Sequence, residues 1–144
     1  ITIPPVNREL GEEWVAFLTA LRGSYGTFLL GDPAGASPRG TATAATITGT
    51  SGSRSVTVSM TGTLLAGDYI QLGTGSDATL HKVLEDQSNS GTLEIWPALR
   101  KARSGVSATL TNPKGVFRLT SNVQNWSITP PTFYEITFSA EEAL

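Results

Sequence analysis

Residues 21–40, LRGSYGTFLLGDPAGASPRG, are where the chain changes character. Upstream, Leu10, Trp14, Phe17, Leu18 and Leu21 recur at steps of four, three, one and three. That spacing puts them on one face of a helix. Downstream, Thr27 to Leu30 is a short apolar run. Gly31, Asp32, Pro33, Gly35, Pro38 and Gly40 then supply turn chemistry. Proline presets one dihedral and glycine accepts positive φ. From there to the C-terminus the pattern is strand-like. A single helix ahead of a chain of strands is an architectural arrangement, and it directs attention to assembly rather than to chemistry.

The helix is expected over about residues 8–22. Pro4-Pro5 keeps the preceding segment extended. Asn7 suits the N-cap, Glu9, Glu12 and Glu13 sit near the positive end of the helix dipole, and Gly23 suits a C-terminal stop. Gly11 weakens the helix by about 1 kcal/mol relative to alanine. Its stability must therefore come from packing the apolar face.

Thr41 to Thr50 reads as a Thr/Ala-rich strand over a loosely packed surface. Ser55–Met60 alternates, with Val56, Val58 and Met60 on one face. Tyr69–Leu72, Thr79–Glu85, Thr92–Trp96 and Val106–Thr111 follow, separated by turns. In the third of these five strands Val83 opposes Leu80 and Leu84. Five short strands over 51–111 are enough for a small SH3- or OB-like barrel. Near the C-terminus Tyr134, Ile136 and Phe138 alternate with Glu135 and Thr137, a half-buried strand. The fold class expected is mainly β. One domain comprises 1–50 plus 112–144 and contains the helix; a small β-barrel, 51–111, is inserted in it.

Composition narrows function. The chain has 144 residues, no Cys, one His, 15% charged residues and a net charge of -2. Disulfides and thiolate metal sites are excluded, and a histidine-built metal centre has almost no material. No basic stripe suggests charge-driven nucleic-acid binding. No apolar run approaches the ~20 residues that span a bilayer.

Catalytic candidates are weak. Asp68 follows Gly67 and reads as a turn cap rather than half of a carboxylate pair with Asp77. Glu12 and Glu13 point to different sides of a helix. His81 has no partner spacing and reads as a surface or interface residue. Gly73-Thr-Gly-Ser lacks the lysine and following helix of a P-loop. Arg100, Lys101 and Arg103 form a small basic loop that could meet an acidic partner. Trp96 and Trp126 suit core or interface anchors, or platforms for a sugar. No catalytic residue, metal ligand or cofactor site is expected, and the chain is read as a non-enzyme.

Six segments, in this order, carry a resemblance: GTFLLGDP (26–33), LLAGDYIQLG (64–73), LHKVLED (80–86), LEIWPALR (93–100), KGVFRL (114–119) and YEITFSAEEAL (134–144). Together they resemble the distal tail proteins of long-tailed, siphovirus-type bacteriophages and prophages, over most of the chain from about residue 9.

The resemblance implies a tail-tube-like β-sandwich or barrel with a flanking helix, carrying a small added domain. It implies a homo-oligomeric ring, of six copies in that family. The ring would sit at the virion tail tip after assembly in the bacterial host cytoplasm. Its neighbours would be the tail tube protein, the baseplate hub protein and receptor-binding parts. Genomic DNA would only pass through, and no membrane insertion is implied. Candidate subunit-interface residues are Trp14, Phe17, Leu18, Leu21, Arg22, Asp32 and Arg39. Arg100, Lys101 and Arg103 are the candidate partner-contact loop. Two alternatives stand beside this reading. One is a carbohydrate- or receptor-binding β module, which requires Trp96, Trp126 and Tyr69 to be exposed. The other is a tail tube or terminator subunit.

Overall fold

The computed structural model describes residues 1–143. The chain is mainly β, with one α-helix. In chain order, β1 (Thr2–Val6) leads into α1 (Arg8–Ala20) and then β2 (Thr27–Leu30). The middle of the chain forms β3 (Ala45–Gly49), β4 (Ser55–Met60), β5 (Thr63–Leu64), β6 (Tyr69–Leu72), β7 (Thr79–Val83), β8 (Gln87–Ser88), β9 (Gly91–Trp96) and β10 (Arg103–Ala108). The last strands are β11 (Gly115–Leu119), β12 (Trp126–Thr129), β13 (Phe133–Thr137) and β14 (Ala140–Glu142). Two compact units result: Ile1–Phe28 with Phe117–Leu144, and Leu29–Val116.

In the first unit, β1, β13 and β12 form an antiparallel sheet in that order. Helix α1 packs on it. The Asn7 side chain accepts from the Leu10 N–H at 3.1 Å, satisfying one of the free donors of the first turn. The helix ends at Ala20, because Arg22 and Gly23 both take left-handed φ values, 53° and 68°. Leu18 and Leu21 enter a core with Leu119, Tyr134, Ile136 and Phe138. A further three-stranded sheet runs in the order β14-β11-β2. The chain passes from one unit to the other along β2 and returns along β11.

The second unit is a nearly closed six-stranded barrel in the order β10-β3-β4-β9-β7-β6. Closure comes from one bridge between its end strands: Gln71 N–H donates to Thr109 O at 3.0 Å, and Thr109 N–H to Gln71 O at 2.9 Å. Alternation decides which side chains enter. Val56, Val58 and Met60 point inward while Ser55, Thr57 and Ser59 point out. Ile47, Leu64, Ile70, Leu72, Leu93 and Ile95 join them in the apolar core.

Three expectations are corrected. The segments 29–50 and 112–116 do not go with the flanking domain. Strand β3 lies between β10 and β4, and Ala45 and Ile47 are buried in the barrel core rather than over a loose surface. The strand expected over 106–111 begins instead at Arg103, because a bulge between Arg103 and Val106 admits Gly105 at φ 59° and keeps the pairing with β3. His81 is not at the surface. It is 1% exposed, with Nδ1 2.7 Å from Pro97 O and Nε2 3.0 Å from Thr79 Oγ1. A pleat that turns Val83 inward turns His81 inward too, and the two ring nitrogens find partners there.

Candidate functional site

The helix carries two apolar stripes, one buried inside its unit and the other only partly covered there. Leu18 and Leu21 are buried against β13 and β11 residues, so they belong to the core and, contrary to expectation, are not open to a neighbouring subunit. Leu10, Trp14 and Phe17 form the second stripe. Leu10 is 48% and Phe17 36% exposed, and Trp14 is half-buried. The rings of this stripe are seated on others: Trp14 and Phe17 meet edge-to-face at 5.8 Å, Phe17 and Phe28 at 5.6 Å. Phe138 closes the group, 6.2 Å from Trp14 and 6.3 Å from Phe28. Packed rings hold their outer faces in a fixed arrangement, bordered by Glu13 around a shallow concavity. Arg22 is exposed at the helix end.

A second apolar surface lies on the same unit. β12 is an edge strand, and Trp126 pairs with Ile136 and Ile128 with Tyr134. Paired residues share a face, so Trp126 and Ile128 extend the face that carries the helix. They remain exposed, as does Phe133 at the start of β13. An exposed apolar edge strand is a template for pairing with another chain.

Asp32 and Arg39 belong to the other unit, and the structure gives them local duties. The Asp32 carboxylate accepts from Ala34 N–H at 2.9 Å and caps a single helical turn, Pro33–Gly35. Arg39 bonds Ala66 O and lies 3.6 Å from Asp68. Asp68 is buried, and its oxygens accept from the N–H groups of Arg39 (2.8 Å), Gly40 (3.2 Å) and Leu65 (2.9 Å). The turn role read for Asp68 holds, and the carboxylate also ties the 31–40 loop to the turn ahead of β6.

The basic loop is not a free cationic patch. Arg103 is buried and donates to Asp77 Oδ2 at 2.9 Å and to Asp77 O at 3.4 Å; Lys101 pairs with Oδ1 of the same residue. These hydrogen bonds, Lys101's first and then Arg103's, hold the Asp77 carboxyl below its ordinary value. In the first unit the phenol of Tyr134 donates to Glu12 Oε1, which pushes its pKa up. Among the described residues, no group of three His, Asp or Glu side chains could hold a metal ion. Among the same residues, no helix is long and apolar enough to cross a membrane.

Trp96 and Trp126 are 51% and 42% exposed, and Tyr69 is half-buried. The tryptophans are therefore surface groups and not core anchors. Sequence reading missed Arg54, whose guanidinium lies 4.5 Å over the Trp96 ring. No motif announces that contact; only the barrel brings the two together. No protein-family model matches the chain, and no curated protein matches it.

Proposed function

We propose that this chain is a ring-forming structural component of a phage tail tip. In this reading it is a distal tail protein joining the tail tube to the baseplate hub and receptor-binding parts. The observation that carries the reading is the second helix stripe. Leu10 and Phe17 stay exposed on a helix whose Leu18 and Leu21 are buried and whose Trp14 is packed on the core. The uncovered edge strand β12, with Trp126 and Ile128, adds a second surface. Two separate surfaces on one subunit are what a head-to-tail ring needs. The ordered series of segments from GTFLLGDP to YEITFSAEEAL supports the tail-tip assignment.

Subunits of such a ring would meet copies of themselves laterally, the tail tube protein above and the hub below. With 10 Lys and Arg in 144 residues and a net charge of -2, the chain offers little to retain a passing phosphate backbone. Negative-stain imaging of purified protein tests the reading. Single six-fold rings with a central hole support it. Long stacked tubes would favour a tube subunit, and isolated monomers at all concentrations would count against ring formation.

A further inference from the structure

The outer wall of the barrel carries a row of alternating cations and rings. Arg54, just before β4, lies over Trp96 at the end of β9. Trp96 pairs with Lys82 of β7, and Lys82 pairs with Tyr69 of β6. Residues directly opposite in antiparallel strands project from one face, so the four side chains stand side by side. Lys82 Nζ is 4.8 Å from the Tyr69 ring centroid and donates to its hydroxyl at 3.2 Å. Among the described residues, neither Arg54 nor Lys82 has a carboxylate partner.

These contacts orient the cations without neutralising them. A guanidinium whose Cζ stands over an indole still carries N–H donors for a carboxylate. An ammonium with one proton on a phenol keeps two donors. Beside Tyr69 and Lys82 is a polar recess that Asp32, Ser37 and Arg39 also line.

We infer that this row binds an acidic polysaccharide, a chain of sugar rings bearing carboxylates. Arg54 and Lys82 take the carboxylates. The exposed half of Trp96 and the Tyr69 ring meet apolar C–H faces of the sugars. The recess takes hydroxyls, which donate as well as accept. Acidic acceptors are interleaved with the cations: Asp32 in the recess and Glu94 on β9, two residues from Trp96 on the same outward face. They suit a ligand rich in hydroxyl donors. A DNA backbone offers phosphate acceptors but lacks the many hydroxyl donors that Asp32 and Glu94 would accept from. The inference uses residues of the second unit alone and stands apart from the ring-forming reading.

Isothermal titration with a polygalacturonate hexasaccharide tests it, with the fully methyl-esterified hexasaccharide and a thymidine oligonucleotide of equal charge as comparisons. The acidic sugar is expected to bind. Arg54→Gln and Lys82→Gln are each expected to weaken it about tenfold, the size of a lost charge-assisted bond, with unchanged melting temperatures. Trp96→Phe, which keeps an aromatic ring, is expected to weaken it less. Absence of binding, equal binding of the methyl ester, unchanged binding by the Arg54→Gln/Lys82→Gln double variant, or tighter binding of the oligonucleotide each overturns the inference.

Discussion

Tyr134 packs against the helix at Gly11, so close that a β-carbon at Gly11 would stand 2.3 Å from the ring's Cγ. The glycine that costs helix propensity is the place where β13 approaches the helix backbone. The Tyr134 hydroxyl reaches on to Glu12, the next residue along. Two opposed effects meet here. Alanine gains about 1 kcal/mol of propensity, but overpacking a ring whose nearest atoms are 2.3–2.8 Å away costs about 1–3 kcal/mol.

Gly11→Ala is therefore expected to destabilise the first unit, by up to about 2 kcal/mol net. Urea unfolding measures it. A stabilised variant would mean that Tyr134 does not pack as described.

The Tyr134–Glu12 bond predicts an alkaline limb. A phenol whose folded pKa is raised contributes stability that is complete below its ordinary value of 10.0 and is lost as pH rises through the folded value. The melting temperature of the wild type is expected to fall above about pH 10, and the gap between it and Tyr134→Phe to narrow there. A gap independent of pH up to 12 would contradict the bond.

Asp77 predicts the opposite limb. Its folded pKa is lowered by Lys101 and Arg103, so its contribution is complete above the ordinary value of 3.8 and is lost as pH falls through the folded value. The urea midpoints of wild type and Asp77→Asn are expected to differ at pH 6 and to converge progressively as the pH falls below 3.8. The two cations are unequal: the Arg103 side chain is 7% exposed and that of Lys101 57%. Arg103→Ala is expected to cost about 2 kcal/mol or more, and Lys101→Ala about 0.5 kcal/mol or less.

Asp68 anchors the 31–40 loop through three backbone donors. Asp68→Ala is expected to cost about 3 kcal/mol by orphaning them and to open the loop to proteolysis near Arg39. Arg39→Ala, which leaves the backbone donors in place, is expected to cost well under half as much.

Much of this fold was legible in the sequence. The period of Leu10 to Leu21 located the helix, and Val56, Val58 and Met60 marked an inward strand face, because period alone decides which side chains share a face. Burial was not legible. Leu18 and Leu21 stand on the same run as Trp14 and Phe17, and only the position of β13 separates core from exposed stripe. His81 looked like a surface residue because its partners, Thr79 Oγ1 and Pro97 O, include a main-chain oxygen supplied by tertiary folding. Arg100, Lys101 and Arg103 looked like a loop because the bulge at Gly105 hides the strand. Nothing in the residues around Arg54 points to Trp96, 42 positions away by number.

The central claim is that the outward helix stripe holds copies of this chain together. The measurement that tests it is the solution mass, by light scattering, of the wild type against Leu10→Glu/Phe17→Glu. Leu10 is the more exposed of the two, and Phe17 also packs on Trp14 and Phe28, so circular dichroism checks the fold and Leu10→Glu alone is measured beside the double variant. A wild-type mass several times that of one chain, falling to a single folded chain in the variant, is the expected result. A wild-type monomer, or an assembly whose mass the two substitutions leave unchanged, would contradict the claim.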